Sequence, residues 1–385
     1  MNDLIFVSME DWDQVWRRNQ FVCAELAKRH PEMKILFVGV PRNVWHYARR
    51  GDFGTLLRSP VARAPGFDNI ITTRALRMGL ERFEWGVRLN QFIARRHVQK
   101  LAKRLGMKKP ILWLNPHWAV PMIGRMDESL VIYDVTDDWI EREQPTWLAE
   151  QVRRQDAEMC AKAGAVIVCS QNLFESRRKL AGERAHLIPN GVDAKHYETV
   201  LNDATPLPAA AAKWKKPVFG YTGTVHSDRM DVQLVHDVAK RMQNGTLVFV
   251  GPNHLPPVQR ELLLKTGQVQ FHPAVAYEEI PNYMRAFDVC ITPHRTSSFV
   301  QSLQPIKLWE YLAAGKPIVA TDISGFRDFP ELVRIARSPE EFAREMTEAA
   351  AEGTRLSAKR QAVARANSWQ SRVNEIEKVI AGELA

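Results

Sequence analysis

Cysteine is scarce in this sequence. Its 385 residues include only Cys23, Cys160, Cys169 and Cys290, and no two of them form a Cys-x-x-Cys pair. The spacing gives no sign of a zinc module or a disulfide framework. Because Cys160, Cys169 and Cys290 sit in or beside apolar runs, we expect buried free thiols in a reducing compartment.

Long apolar runs are also missing. No stretch approaches the roughly 18 apolar residues of a membrane-spanning helix. The first residues, MNDLIFVSMEDW, carry acids rather than the features of a signal peptide. We therefore expect a cytoplasmic protein. Peripheral contact of the protein with the inner face of the cytoplasmic membrane is an open alternative.

Acidic residues are outnumbered in the first third of the chain. Residues 1–125 contain 22 Lys and Arg against 10 Asp and Glu, whereas residues 126–190 contain 8 against 12. The net charge of +9 raises the alternative of a nucleic-acid-binding protein. However, no RRM, helix-turn-helix, KH or zinc spacing supports it, so we expect no nucleic-acid partner.

The sequence does contain a regular alternation of short β-rich runs and helical patterns. The strand candidates are Leu4–Val7, Ile35–Val40, Ile111–Leu114, Leu130–Val135, Ala165–Cys169, His186–Ile188, Val218–Tyr221, Thr246–Val250, Val269–Phe271, Val289–Thr292 and Pro317–Thr321. Such alternation predicts an α/β protein with parallel sheets and crossover helices.

The length exceeds what one hydrophobic core usually covers, and one segment interrupts the alternation. Residues 199–216 combine prolines with an alanine run. We predict an N-terminal Rossmann-like domain at 1–198, a linker at 199–216 and a C-terminal Rossmann-like domain at 217–365. A C-terminal helix at 366–385 is predicted to pack toward the N-terminal domain.

Ligands of open α/β sheets bind at the carboxyl ends of the strands. The run Phe219-Gly-Tyr-Thr-Gly-Thr224 places Gly223 at such an end. Glycine lets the backbone approach a ligand, and the amides that follow, from Thr224 on, can face a phosphate whose charge Arg229 could neutralise. The alternative is a tight turn without a ligand.

A second loop begins at Gln304 and leads into a predicted helix. Pro305 suits a first helical turn, whose free N–H groups attract anions. Lys307 and Glu310 are three residues apart and so lie on one helix face. A lysine for phosphate and a carboxylate for ribose hydroxyls make a coherent nucleotide site; the alternative is a solvated ion pair.

At this point the chain resembles a known family. The segment IPNGVD at 188–193, the glycine loop after a strand and KLWEYLAAGKPIVAT at 307–321 resemble GT-B glycosyltransferases of the family 4 type. The resemblance implies two Rossmann-like, doubly wound domains that face each other across a cleft. It also implies that a nucleotide diphosphate sugar binds mainly to the C-terminal domain. We expect IPNGVD itself to be mainly architectural.

The resemblance assigns roles to individual residues. It implies that Glu310 holds the ribose hydroxyls and that the backbone of Val275 meets the base. It implies that the pyrophosphate is held by side chains and backbone of Gly223, Arg229, Lys307 and the segment Gln304, Pro305 and Ile306. No metal or other cofactor is expected, because these groups can neutralise the leaving diphosphate.

Two positions depart from the family pattern. Ser302 stands where many relatives carry a second glutamate, which leaves the donor sugar open. Ser8–Trp12 stands where many relatives have a glycine-rich first loop. Pyrophosphate contacts from the N-terminal domain are therefore expected to be reduced or different.

Candidates for the catalytic groups follow two strands of the N-terminal half. The layout Tyr133-x-x-x-Asp137 resembles the glucuronosyltransferase of xanthan assembly, and this resemblance implies Asp137 as general base. Asp138 is a further candidate. The alternative is that either aspartate caps a helix near Trp139. His117 is a further candidate for the catalytic cleft, where it would contact the sugar. The alternative is a structural role, which is common for a lone histidine in a loop.

Residues 74–109 contain 11 basic residues and two acids. The apolar residues Leu80, Phe83, Val87, Phe92, Val98, Leu101 and Leu105 give a broken stripe. The pattern fits a core-facing helix with a solvated basic face. It equally fits a helix that contacts an anionic membrane surface, and attraction of an anionic glycan is also compatible.

Together these patterns predict a UDP-sugar-dependent glycosyltransferase that acts on a glycan or lipid-linked glycan in surface polysaccharide biosynthesis. A UDP-sugar 2-epimerase on the same scaffold is an alternative. It would convert a free UDP-sugar without any acceptor.

Overall fold

The computed structural model describes residues 1–13, 16–57, 60–141, 144–302 and 304–384. Its internal contacts divide the chain into two compact units. The first unit comprises Met1–Pro189 and Val373–Ala385, and the second comprises Asn190–Arg372.

The first unit is built on a largely parallel sheet with the strand order β10-β9-β8-β7-β1-β2-β5-β4. Its strands are β1 (Leu4–Val7), β2 (Ile35–Val38), β4 (Val61–Arg63), β5 (Ile70–Thr73), β7 (Ile111–Leu114), β8 (Leu130–Val135), β9 (Ala165–Val168) and β10 (Ala185–Leu187). The edge strand β4 pairs antiparallel to β5. A short parallel pair, β3 (Arg42–Asn43) and β6 (Leu76–Arg77), forms a separate ladder.

Helices connect these strands. They are α1 (Arg18–Arg29), α2 (Val44–Arg49), α3 (Phe53–Leu57), α4 (Glu84–Arg104), α5 (Thr146–Lys162) and α6 (Gln171–Ala181). The sheet is apolar because parallel strands are covered on both faces. β1, β2 and β7 are buried at every position.

The second unit contains a parallel sheet in the order β13-β12-β11-β14-β15-β16. Its strands are β11 (Val218–Thr222), β12 (Thr246–Val250), β13 (Val269–His272), β14 (Val289–Thr292), β15 (Ile318–Thr321) and β16 (Arg334–Ala336). Its helices are α7 (Ala194–Glu198), α8 (Val232–Arg241), α9 (Pro257–Leu264), α10 (Ile280–Ala286), α11 (Ser298–Ser302), α12 (Ile306–Ala313), α13 (Pro339–Glu352) and α14 (Ser357–Ala366), followed by α15 (Trp369–Leu384). The predicted α/β class with parallel sheets is confirmed.

Alternate residues of the second sheet enter different cores, as the two-residue period of a strand requires. Val248 and Val250 pack in a core with Leu308 of α12. Leu247 and Phe249 pack in the other core, which α8 and α13 complete. The helix α12 therefore lies on one face of the sheet, and its first turn reaches the carboxyl edge.

The boundary between the units differs from the predicted one. The segment 199–216, predicted as a linker, lies inside the second unit. Val200 and Trp214 are buried in its core, beside Phe287. The prolines and alanines of this segment suggested a linker, but its few large apolar side chains tie it to the core.

The end of the chain contributes to the first unit. From Val373 onward, α15 is grouped with the N-terminal residues. Arg29 of α1 donates to Asn374 at 2.6 Å and to Glu377 at 2.8 Å, and His30 Nε2 lies 2.8 Å from the same glutamate. None of the described helices has the length and apolar character that a bilayer span requires.

Gly220 in β11 tests this packing. A Cβ atom at this position would lie 2.1 Å from the ring of the fully buried Phe287. We expect Gly220→Ala to lower the free energy of unfolding by about 1–3 kcal/mol, because overpacking displaces the ring or the strand. Denaturant titration of the purified protein measures this change.

Gly382→Ala is the matched control. A Cβ atom there meets open space. The substitution should leave stability unchanged or raise it by about 0.5–1 kcal/mol, as expected for alanine in a helix. Equal denaturation midpoints for Gly220→Ala and the unchanged protein would contradict the packing of β11 on Phe287.

Candidate functional site

Two glycines shape the carboxyl edge of the second sheet. Gly223 follows β11 with a φ of 137°, and Gly251 follows β12 with a φ of 143°. The Gly223 amide donates to Val250 at 2.8 Å. A Cβ atom on Gly251 would lie 2.2 Å from the Gly223 carbonyl oxygen. The two loops thus pack backbone on backbone, which leaves no space for a side chain at Gly251.

Lys307 and Glu310 of α12 meet the first of these loops. A Cβ atom on Gly223 would lie 2.9 Å from Lys307 Cε. Lys307 Nζ donates to Glu310 Oε2 at 2.5 Å. The structure therefore brings these three sequence-predicted residues together at one place.

Glu310 is 6% exposed, and its carboxylate interacts with two tyrosines. Burial raises the pKa of Tyr197 well above its usual value, and the Glu310 charge adds to the rise. Burial, then the charges of Asp193 and Glu310, raise the pKa of Tyr277. Both phenols stay protonated, so they can stabilise the carboxylate.

The helix α7 supports these tyrosines. Tyr197 lies on α7 and is buried. His196, its neighbour, stacks on the Tyr277 ring with centroids 4.2 Å apart, and its Nε2 lies 3.0 Å from the Tyr277 carbonyl oxygen. Val275 lies in the same loop after β13 and packs against the core. The loop that is expected to meet the nucleotide base is thus held in place by α7 and by the core of the second unit.

Arg229 and Thr224 lie on the loop between β11 and α8. Tyr221 donates its hydroxyl proton to the Thr224 carbonyl at 3.3 Å. Arg229 is exposed, and its charge acts on two buried groups. Burial raises the pKa of Tyr221 to about 12 while Arg229 lowers it. Burial, aided by Arg229, lowers the pKa of His294 to about 3, so this histidine is neutral at pH 7.

The segment before α12 is held by Asn190. The Asn190 backbone amide donates to Gln304 Oε1, and its side chain donates to the Gln304 carbonyl, both at 2.7 Å. Pro305 is the N-cap of α12 with a φ of −65°. Proline has no side-chain acceptor for the first-turn amides, so the Ile306 end of the helix can attract an anion.

Asn190 belongs to the IPNGVD segment, which we predicted to be mainly architectural. The segment is indeed packed closely, since a Cβ atom on Gly191 would lie 2.9 Å from the Trp369 amide nitrogen. Its contact with Gln304 additionally fixes the predicted phosphate loop. The Asn side chain was the sequence signal for this role, but the sequence alone did not identify its partner.

Ser302 replaces the second glutamate of many relatives. It ends α11, is 4% exposed and donates its hydroxyl to the Phe299 carbonyl at 2.7 Å. The Ser302 hydroxyl is therefore engaged in a hydrogen bond inside the second unit.

The catalytic candidates of the first unit follow the neighbouring strands β7 and β8. Asn115, directly after β7, donates to the Asp134 carbonyl of β8 at 2.8 Å and so ties the two strand ends together. His117 begins a short 3₁₀ segment, and burial lowers its pKa to about 4. The imidazole is therefore neutral at pH 7 and can exchange hydrogen bonds with hydroxyl groups.

Asp138 is occupied by Arg177. The guanidinium donates to both carboxylate oxygens at 3.1 Å. The same arginine lies 3.2 Å from Asp156, which accepts a hydrogen bond from Tyr133 at 2.7 Å. Burial opposes the Arg177 charge, but the hydrogen bonds and charges of both aspartates raise its pKa. We therefore assign Asp138 a structural role.

Asp137 differs from its neighbours in exposure. It is partly exposed, whereas Asp138 is 9% exposed and Asp134 is fully buried. Arg18 donates to both oxygens of Asp134, at 3.2 and 3.1 Å. The predicted helix near Trp139 is absent from the described residues, which form a turn there, so Asp137 caps no helix at that point.

Comparisons with known proteins bear on the family and the fold. Residues 216–352 match the family described as glycosyl transferases group 1. A putative teichuronic acid biosynthesis glycosyltransferase, TuaH of Bacillus subtilis strain 168, is 29% identical over 203 residues, which are 50% of this chain and 50% of that protein. The match thus spans half of the relative's length.

Solved structures resemble the whole chain. Sucrose-phosphate synthase from Thermosynechococcus elongatus superposes with a TM-score of 0.75 at 14% identity and covers 99% of both chains. Anabaena HepE, in complex with UDP-glucose, superposes with a TM-score of 0.69 at 17% identity, also over 99% of both chains. The chain therefore has the GT-B fold, and its residues 216–352 match the family of glycosyl transferases group 1.

Proposed function

We propose that this protein is a glycosyltransferase that takes its sugar from a nucleotide diphosphate sugar bound by the second unit. The buried Glu310 carboxylate beside Lys307 and Gly223 carries the proposal. A carboxylate can accept hydrogen bonds from two vicinal ribose hydroxyls, and a lysine binds phosphate as a point charge. The family match of residues 216–352 supports the same activity.

The donor is proposed to be a UDP-sugar. Anabaena HepE has been solved with UDP, with UDP and glucose, and with UDP-glucose. In this chain the loop after β13 would receive the uracil through the backbone of Val275. The identity of the sugar is left open by Ser302, which offers no carboxylate to its hydroxyls.

Stabilisation of the leaving diphosphate is the main chemical task at this site. Lys307 and Arg229 offer positive charge. Gln304 and Ile306, on either side of the N-cap Pro305 of α12, offer backbone N–H groups, and the Thr224 backbone lies beside them in the proposal. Preorganised charge of this kind stabilises an oxyanion as it develops. We propose that the transfer needs no metal ion.

The acceptor hydroxyl needs a base if the transfer inverts the anomeric centre. Asp137 is the proposed base, because it follows β8 at the carboxyl edge of the sheet and is partly exposed, where an acceptor can reach its carboxylate. His117 is proposed to hold a sugar hydroxyl as a neutral hydrogen-bonding partner. The proposed acceptor is a glycan or a lipid-linked glycan at the inner face of the cytoplasmic membrane, in line with the teichuronic acid relative.

Nucleotide binding tests the donor site. In a thermal-shift series with UDP, GDP, ADP and dTDP, we expect UDP to stabilise the protein, by about 2.7 kcal/mol at a concentration of 100 Kd. Glu310→Gln and Lys307→Met should each weaken UDP binding about 10- to 100-fold, because each removes a charge-assisted hydrogen bond.

Glu261→Gln is the matched control for these variants. Glu261 pairs with Lys265 at 2.8 Å in α9, and both side chains are exposed. Its UDP affinity should equal that of the unchanged protein. Unaltered UDP affinity in both donor-site variants would show that the nucleotide binds elsewhere.

Transfer kinetics test the base. We expect Asp137→Asn to lower kcat about 10²- to 10⁴-fold, the usual contribution of general-base catalysis, with UDP affinity and melting temperature unchanged. Product formation from a UDP-sugar and an acceptor is the readout. Conversion of the UDP-sugar without an acceptor would instead indicate the epimerase.

Asp138→Asn separates chemistry from folding. This substitution breaks the buried pair with Arg177 and should lower the free energy of unfolding by about 3–5 kcal/mol. If the Asp137→Asn protein were fully active, Asp137 would not be the base, whatever the stability of Asp138→Asn.

A further inference from the structure

The helix α4 carries apolar residues on two different faces. Ala94, Val98 and Leu101 are buried in the core of the first unit. Trp85, Leu89 and Phe92 are instead 58%, 38% and 52% exposed. Their spacing of four and three residues aligns them along one side of the helix. The apolar stripe read from the sequence is thus two stripes, one of which faces solvent.

The segment before α4 extends this exposed stripe. Met78, Leu80 and Phe83 are each 45–51% exposed, and Trp45 of α2 is 52% exposed. The Phe83 and Trp85 rings stack with centroids 6.1 Å apart, and Trp45 Nε1 donates to the Met78 carbonyl at 2.6 Å. We name these residues the aromatic face: Trp45, Met78, Leu80, Phe83, Trp85, Leu89 and Phe92.

The aromatic face rests on a fixed frame. Asn90 of α4 accepts from the amides of Met78 and Gly79 at 3.0 and 2.7 Å and donates to the Gly79 carbonyl at 3.1 Å. A Cβ atom on Gly79 would lie 2.2 Å from the Gly86 carbonyl oxygen. The loop at residues 78–79 therefore packs directly against α4. The exposed apolar side chains extend from a backbone that these contacts hold in place.

The charge around this face is mainly positive. The two acids of residues 74–109, Glu81 and Glu84, are each paired with an arginine four residues away, at 3.0 and 2.8 Å. The guanidinium of Arg82 lies 5.9 Å from the Phe83 ring centroid, and that of Arg95 lies 5.6 Å from the Phe92 centroid. Arginines thus border the exposed rings, with little acidic charge to offset them.

We propose that the aromatic face docks on the surface of an anionic phospholipid bilayer. Rings and leucines bordered by arginine suit the interfacial layer, where apolar groups enter the acyl boundary and cations meet the headgroups. A contiguous exposed apolar patch of this kind marks an interaction site. The proposal concerns the first unit alone and does not depend on the donor site.

Charge decides between a bilayer and a second copy of the chain. A twofold contact would place the same arginine-bordered patch against itself, and like charges would repel. An anionic surface instead offers the opposite charge over a wide area. The bilayer is therefore the partner that the face fits.

Vesicle sedimentation with the full chain tests the proposal. The protein should bind vesicles of phosphatidylcholine with 30 mol% phosphatidylglycerol at least about tenfold more tightly than pure phosphatidylcholine vesicles, and 0.5 M salt should weaken this binding. The triple variant Trp85→Ser/Leu89→Ser/Phe92→Ser should lose about tenfold or more of the remaining affinity.

Two further proteins complete the test. Val258→Ser/Leu262→Ser removes exposed apolar residues from α9 in the second unit and should bind vesicles normally. Arg96→Gln/Lys100→Gln should weaken only the salt-sensitive part of binding. Circular dichroism checks that each variant folds.

Three outcomes would overturn the proposal. One is equal affinity for neutral and anionic vesicles. Another is unchanged binding by the folded triple variant. The third is a dimer in size-exclusion chromatography that this variant converts to a monomer, which would make a second copy the partner. Because the assay uses neither donor nor acceptor, its result is separate from that of the nucleotide tests.

Discussion

The buried carboxylate of Glu310 constrains much of the second unit. Glu310 is only 6% exposed, so its charge needs compensating partners, and Lys307 Nζ supplies one at 2.5 Å. Position 223 favours glycine because its φ is 137°, and a side chain there would also meet Lys307 Cε. Burial raises the pKa of Tyr197 and of Tyr277, and the Glu310 charge adds to the rise. The helix, the glycine loop and α7 are therefore linked through one charge, and the proposed nucleotide site is a consequence of that linkage.

The first unit uses its buried acids differently. Arg18 holds Asp134, while Arg177 holds both Asp138 and Asp156. Isolated buried charges would be costly, so these pairs belong to the framework of the sheet edge. Asp137 lies at the same edge and is partly exposed, which suits the chemical role proposed for its carboxylate. Its neighbours owe their place in the fold to ion pairing, which explains why a run of acids there contains so few candidates for a base.

Features with a local signature could be predicted from the sequence, and features that depend on distant partners could not. Strands such as Leu4–Val7 were found because buried parallel strands are continuous apolar runs. Lys307 and Glu310 were paired by helical spacing. The bond from Asn190 to Gln304 spans 114 positions and has no periodic signal. The edge strand Val61–Arg63 has no clear signal because it is only three residues long and largely exposed. For α4, the pattern could not show which apolar residues face the core.

The central claim is that a uridine diphosphate binds where α12 begins, against Gly223, Lys307 and Glu310. A crystal structure of this protein grown with UDP tests it most directly. The account predicts ribose hydroxyls within hydrogen-bond distance of the Glu310 carboxylate and phosphate oxygens beside Lys307. Density for UDP at another place, with the Lys307–Glu310 pair unchanged and unoccupied, would contradict it.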